Sequence, residues 1–212
     1  SPLPSGLSGT HFLDISANAA SIRIYAIGNN GAVHSGDDGV SWIEVNSPAG
    51  TLLNSFSGVD DSATVYATVS GYNDGNKVYK STNAGDSWTN ITGDLPNIIT
   101  YKILHKADSN DETLFVGTEL GVYWKNNTMA NWEKYGVDLP NVRISDLEIN
   151  YIDQELYVGT FGRSLWKIAA QPRCIGVTKT WDGANWSPAG APGNTDVVVI
   201  NGNYDTAING GS

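Results

Sequence analysis

The sequence predicts an all-β protein, and three observations carry that prediction. Apolar and β-branched residues gather in short runs bounded by Gly, Asn and Asp clusters, and none keeps helical spacing for long. Glycine supplies 24 of the 212 residues, above the usual ~7%. An eight-residue segment also recurs at a nearly fixed interval. Ser35-Gly-Asp37-Asp-Gly39-Val-Ser41-Trp42 and Ser81-Thr-Asn83-Ala-Gly85-Asp-Ser87-Trp88 agree at every informative position, with their tryptophans 46 residues apart. A third copy, Lys125-Asn-Asn127-Thr-Met129-Ala-Asn131-Trp132, keeps Asn127 and Trp132, loses the glycine and the serines, and follows at 44 residues. The flanks repeat as well: Asp94-Leu-Pro-Asn97 returns as Asp138-Leu-Pro-Asn141, and Phe115-Val-Gly-Thr aligns on Tyr157-Val-Gly-Thr. A period of ~40–50 residues built of short strands is that of a β-propeller blade.

Each repeat divides into four strands. In the first, His11 to Ser16, Ile22 to Ile27, Ala32 to Ser35 and Trp42 to Val45 carry the strand signals. The second runs Leu52 to Gly58, Thr64 to Val69, Lys77 to Ser81 and Trp88 to Ile91. In the third, the strands are Ile99 to His105, Thr113 to Gly117, Val122 to Lys125 and Trp132 to Tyr135. The fourth has Val142 to Ile149, Glu155 to Thr160 and Arg163 to Ile168, and no eight-residue segment follows. Closed propellers complete their last blade with a strand from the start of the domain, so a strand from upstream is expected there. A ring larger than four blades is the expectation; closure of four blades by Ser1 to Ser8 is the alternative. Composition shifts after Ala170, which divides the chain into blades over 1–170 and the start of a second β module over 171–212. That module's expected strand is Asp196 to Ile200.

The eight-residue segment has a physical reason as the turn between third and fourth strands. The carboxylate of Asp37 or the amide oxygen of Asn83 accepts bonds from N–H groups that the turn leaves unpaired. Gly39 and Gly85 supply a backbone angle other residues resist, and Trp42 and Trp88 then open the last strand, where a ring can wedge between sheets. With Ser35, Ser81, Asn127 and Trp132, these residues are read as structural, because the turn needs the oxygen for itself.

These segments resemble the Asp-box, or BNR repeat, of sialidases, of some glycoside hydrolase propellers and of sortilin-type receptors. The resemblance covers about residues 10–170 and implies a fold rather than an activity, since the family includes enzymes, receptors and scaffolds. It also implies that the boxes lie away from the ligand face. The sialidase pattern adds an Arg-Ile-Pro motif and three arginines gathered on a carboxylate. Here the nearest stretch is Arg23-Ile-Tyr25, and only Arg23, Arg143, Arg163 and Arg173 exist. The stretch from Thr180 to Pro192 resembles the opening of β-solenoid or β-sandwich modules in bacterial adhesins. The whole is similar to large surface and secreted proteins of Gram-negative bacteria, including type IX secretion substrates, which implies an extracellular or cell-surface location.

With the boxes on one face, the loops between second and third strands and the links between blades share the other. Tyr72, Asp74, Glu119, Phe161 and Arg163 lie in those loops and suit a sugar, through aromatic stacking with carboxylate and guanidinium bonds. A solvated loop rim is the alternative. Asp74 and Glu119 form the pair nearest to the two fixed carboxylates that glycoside hydrolysis requires, and a propeller glycoside hydrolase with further elements upstream is the alternative to a non-catalytic binding or scaffold module. A net charge of −10, with 12 Lys and Arg scattered singly, disfavours nucleic acid and anionic membrane surfaces. No apolar run spans a bilayer. A glycan or a surface protein is the expected partner, beside further domains of the same polypeptide. No Cys/His cluster has zinc spacing, and no metal or cofactor is expected. Asp108-Ser-Asn110-Asp-Glu112 alternates oxygens as a calcium loop does, yet lacks the glycine and closing glutamate of an EF-hand. His11, His34 and His105 fall in strands and are read as packed. Asn90-Ile-Thr92 and Asn126-Asn-Thr128 are sequons, meaningful in a eukaryotic host. The lone Cys174 is read either as a buried thiol or as one whose partner lies beyond residue 212.

Overall fold

The computed structural model describes residues 12–18, 23–28, 31–48, 51–59, 63–109, 111–170, 178–181, 185–187 and 197–200. Cys174, His11, Asn110 and residues 1–8 lie outside them. Two compact units divide the chain, Ser1–Ile168 and Ala169–Ser212.

The first unit is a series of antiparallel sheets, one per repeat. β1 (Phe12–Asn18), β2 (Arg23–Gly28), β3 (Gly31–Ser35) and β4 (Ile43–Val45) pair in chain order. So do β5 (Leu53–Gly58), β6 (Val65–Val69), β7 (Val78–Ser81) and β8 (Thr89–Asn90). The third sheet is β9 (Thr100–His105), β10 (Leu114–Thr118), β11 (Gly121–Lys125) and β12 (Glu133–Tyr135). Among the described residues the fourth has three strands, β13 (Ile144–Asn150), β14 (Glu155–Thr160) and β15 (Leu165–Ala169). Short strands joined by tight turns and stacked face on face are the architecture of propeller blades.

The core lies between successive sheets. First strands pack in series, β1 on β5, β5 on β9 and β9 on β13. Tyr25 and Ile27 of the first blade cluster with Phe56, Val65 and Val69 of the second; Tyr66, Val78 and Leu95 of the second cluster with Ile103, Leu114 and Val116 of the third. Every residue of β6 and β10 is consequently buried, the pattern of strands covered on both faces. β15 differs, with Leu165 and Trp166 exposed.

One irregularity repeats in all four blades. The register against the second strand slips near the start of each first strand, between Phe12 and Asp14, Leu53 and Ser55, Thr100 and Lys102, and Ile144 and Asp146. Each slip is a β-bulge, a device that bends a strand and re-aims a side chain. Asn54, the bulge residue of the second blade, donates from Nδ2 to Thr100 O at 2.6 Å and so ties its blade to the next. Tyr101 is the corresponding residue of the third.

In the second unit, β16 (Thr178–Trp181) pairs antiparallel with β17 (Trp186–Ser187) and parallel with β18 (Val197–Ile200).

Candidate functional site

The recurring turns hold themselves together as their sequence requires. In the first, Ser41 donates to Asp37 through its backbone N at 2.8 Å and through its hydroxyl at 2.6 Å, and the Ser35 hydroxyl donates to Asp37 Oδ1 at 2.8 Å. Ser35 Oγ in turn accepts from Gly39 N at 2.8 Å. The second turn repeats the set: Ser87 N to Asn83 Oδ1 at 3.0 Å, Ser81 Oγ to Asn83 Oδ1 at 2.9 Å and Gly85 N to Ser81 Oγ at 2.9 Å. Gly39 and Gly85 stand at φ of 80° and 94°. Bonds from Ser41 hold the Asp37 carboxyl down at about 2. The side-chain oxygens of Asp37 and Asn83 are thus engaged within their own turns. Fourth strands begin one residue after each tryptophan, at Ile43, Thr89 and Glu133. Trp88 stacks on Phe56 with ring centroids 6.2 Å apart, and its indole N–H donates to Asn46 O of the preceding blade at 2.5 Å. Trp132 packs into the core shared by the second and third blades, whereas Trp42 rests on Ala26 and Val33 of its own.

The loops that follow the second strands, with the links between blades, carry a different assembly. The Tyr72 hydroxyl, on the loop after β6, donates to Glu119 Oε2 on the loop after β10 at 2.8 Å. Glu119 Oε1 accepts from Ile99 N at 3.1 Å, so both carboxylate oxygens are engaged. This bond to Glu119 pushes the Tyr72 phenol up from its ordinary value. The fully buried Lys77 donates to Gly71 O at 2.7 Å, with its ammonium 5.8 Å from the Tyr72 ring centroid. Burial lowers its pKa, against the opposing fields of Asp74 and Glu119. Arg143, in the link before β13, lies 4.2 Å from the Tyr101 ring centroid and 5.7 Å from that of Phe161. Tyr72 and Glu119 thus link the second and third blades, and Tyr101, Arg143 and Phe161 the third and fourth, with Tyr101 near enough to add to the rise of the Tyr72 pKa; the five residues are taken together as a ridge. Phe161 and Tyr72 are 69% and 60% exposed, which leaves two ring surfaces open to a ligand.

Of the five residues expected on this face, Tyr72, Glu119 and Phe161 enter the ridge. Asp74 is exposed at the tip of its loop, its backbone O accepting from Asn76 Nδ2 at 3.0 Å. Arg163 is also exposed, and its backbone O accepts the Trp166 indole N–H at 2.7 Å. Tyr101, Arg143 and Lys77 were not singled out from the sequence. Tyr101 carries a signal, since it faces Leu13, Asn54 and Ser145 in the repeat alignment, where an aromatic ring is the odd member; Arg143, read as part of the strand Val142 to Ile149, instead precedes β13.

The other candidates are absorbed by packing. His34 is buried and its Nδ1 accepts from Arg23 Nη1 at 2.8 Å, with burial lowering its pKa. His105 stacks on Tyr66 at 5.5 Å. In the acidic loop, Lys106 pairs with Asp108, whose Oδ2 accepts from Gln154 at 2.9 Å. Asp111 accepts from Thr113 at 2.7 Å and from Asn126 at 2.6 Å. Among the described residues, no group of His, Cys, Asp and Glu suited to a metal occurs and no helix is long and apolar enough to cross a membrane.

Solved structures similar to the chain share its architecture at low identity. The structure of a nidogen/laminin complex matches with a TM-score of 0.62 and 9% identity, over 77% of this chain and 62% of that one. A GH74 enzyme from Niastella koreensis matches at 0.58 and 13%, over 82% of this chain and 32% of that one. An ancestral GH74 enzyme matches at 0.51 and 18%, over 71% and 22%. The chain thus spans less than two thirds of each. No curated protein sequence matches it. The sequence matches the pattern of a beta propeller family over residues 6–172, in agreement with its series of blades, and the chain belongs to the DUF6242 beta propeller domain family.

Proposed function

We propose that this propeller is a non-catalytic binding module of a secreted or cell-surface protein, and that the Tyr72–Phe161 ridge is its contact face for a glycan. The ridge itself carries the reading. Two exposed rings offer flat apolar surfaces to the C–H faces of sugars, while Arg143 and Glu119 beside them address hydroxyls and carboxylates. Glu119 is tied by two donors and Asp74 stands on a loop tip, an arrangement that supports binding over acid–base turnover, which needs two carboxylates fixed about one bond. The two complete eight-residue turns support membership of the Asp-box group and, with it, an extracellular setting. Coverage of 62%, 32% and 22% of the three similar chains named above supports a larger ring or further domains in the whole protein.

The test is a glycan array followed by calorimetry on hits, with soluble β-glucans and sialosides included. Binding weakened about tenfold by Phe161→Ala or Arg143→Ala, with no product released, is the expected result. Hydrolysis abolished by Asp74→Asn or Glu119→Gln would replace this reading with that of a glycoside hydrolase.

A further inference from the structure

The junction of the first and second blades and that of the second and third both involve the recurring turn, and they are built differently. Between the first and second blades, Asn46 N donates to Gly85 O at 3.2 Å, Asn46 Nδ2 to Asp86 O at 3.1 Å, and the Trp88 indole to Asn46 O. Gly85 seats so closely on Val45 that a Cβ there would lie 2.6 Å from Val45 Cγ1. Between the second and third blades the repeat aligns Met129 with Gly85 and Ile91 with Val45. A side chain has no room in the first arrangement, and the bonding is different in the second. Thr92 N, the counterpart of Asn46 N, turns to Asn90 Oδ1 at 2.9 Å. Trp132 is tied through its backbone N, to Asp94 Oδ1 at 2.9 Å, while its buried indole N–H has no partner.

A cavity of about 370 Å³ occupies this junction, within the range of small-ligand sites. Tyr66, Ile91, Leu114 and Trp132 supply its apolar wall, and its rim carries Lys125 and Asn127. Two charges in the lining cancel: Lys80 bonds both oxygens of Glu112 at 2.9 and 2.8 Å, and Tyr66 adds a third bond at 3.0 Å. Lys125 is different. Its ammonium donates to Ala130 O at 2.8 Å and has no carboxylate within salt-bridge distance among the described residues. The nearby acids are engaged elsewhere, Asp94 with Trp132 N and Asp111 with Asn126 and Thr113.

We propose that this cavity binds an apolar carboxylate, its ring or branched body against Trp132, Ile91 and Leu114 and its carboxylate on Lys125. The chemistry is that of a small free acid or of the last residue of a peptide. The site shares no residue with the ridge and does not depend on it.

Calorimetry of the full chain with 3-phenylpropionate, 3-phenylpropanamide and N-acetyl-phenylalanine tests this, beside the ¹⁵N–¹H spectrum of the indoles. Saturable one-to-one binding of a carboxylate is expected, about tenfold weaker for the amide and about tenfold weaker in Lys125→Met, with Lys125→Arg restoring it. The Trp132 indole resonance should move as the site fills. Tighter binding of N-acetyl-phenylalanine would identify a peptide end as the source, and tighter binding of the simple acid a free metabolite. If Lys125→Met fails to fold, the amide comparison and the indole shift still decide. No saturable binding, equal binding of acid and amide, or shifts in other indoles with Trp132 still would overturn the proposal.

Discussion

Gly85 and Gly39 occupy equivalent turns, yet alanine should cost far more at one than at the other. Both backbones are left-handed, with φ of 94° and 80°, so an added Cβ costs about 1–2 kcal/mol at either site. The surroundings then separate them. A Cβ on Gly39 meets Trp42 Cζ2 at an ordinary 3.5 Å, whereas one on Gly85 meets Val45 at 2.6, 3.3 and 3.4 Å through three carbons. Val45 is 7% exposed and β-branched, and it belongs to the core between the first two blades, so it has little freedom to give way. Overpacking of that kind costs about 1–3 kcal/mol more. Gly39→Ala should therefore lose about 1–2 kcal/mol and Gly85→Ala about 2–5. At about 2–4 °C per kcal/mol for a domain of this size, the two should melt several degrees apart. Denaturant and thermal unfolding measure both, and the double variant Val45→Ala/Gly85→Ala isolates the overlap as a favourable coupling of about 1–3 kcal/mol. Equal losses at the two glycines, or a double variant that is merely additive, would refute the claim that Gly85 is the seat of one blade on the next.

Ser81 is buried, and its hydroxyl accepts from Gly85 N and donates to Asn83, so Ser81→Ala should lose about 1–3 kcal/mol by denaturant melting. The exposed Ser87→Ala should stay within about 0.5 kcal/mol. Asp37 gives a pH signature. Its carboxyl is held at about 2 in the fold against ~3.9 in an unfolded chain, so the stability it lends is complete above the unfolded value and disappears as pH falls from about 4 to 2. The melting temperature of the wild type, measured against that of Asp37→Asn, should fall across that interval; a constant difference would count against the bonds from Ser41.

The blades were legible because their signals repeat. Two matching turns fix a strand boundary on either side, and the fourth strands begin only one residue later than the tryptophans suggest. The turns were legible in their chemistry too, since a serine, an acid or amide and a glycine at fixed spacing leave few other arrangements for the backbone. What could not be read was the ridge as an assembly. Tyr101 lies in what reads as an ordinary strand, and only the bulge at that position sets it out of register with its partner strand. Asn54 at the same bulge uses the displacement differently, to bond the next blade. Lys77 reads as the polar start of a strand, and its burial under Tyr72 depends on the fold of a loop that spacing does not specify. Asp74 and Arg163, picked for their chemistry, lie outside the bonds and ring contacts that join the ridge.

In a protein of repeats, positions that agree between copies hold the sheets, and positions that differ are free to do something else. Met129 makes the case. Its counterpart Gly85 lies in a junction closed by three bonds, from Asn46 to Gly85 O and Asp86 O and from the Trp88 indole to Asn46 O, and a Cβ at Gly85 would overlap Val45. A side chain at the place of Met129 does not fit that seating, and the second-to-third junction holds a cavity walled by core residues. The sequence alone ranks this turn as a decayed copy. Physically, the second-to-third junction has a cavity where the first-to-second junction has close contact between blades. Tyr101 follows the same logic on another face: the bulge is common to every blade, and only here does it carry an aromatic ring under an arginine. Divergence from the repeat thus leads to both proposed sites in this chain, where the repeat itself leads to the turns that hold the sheets.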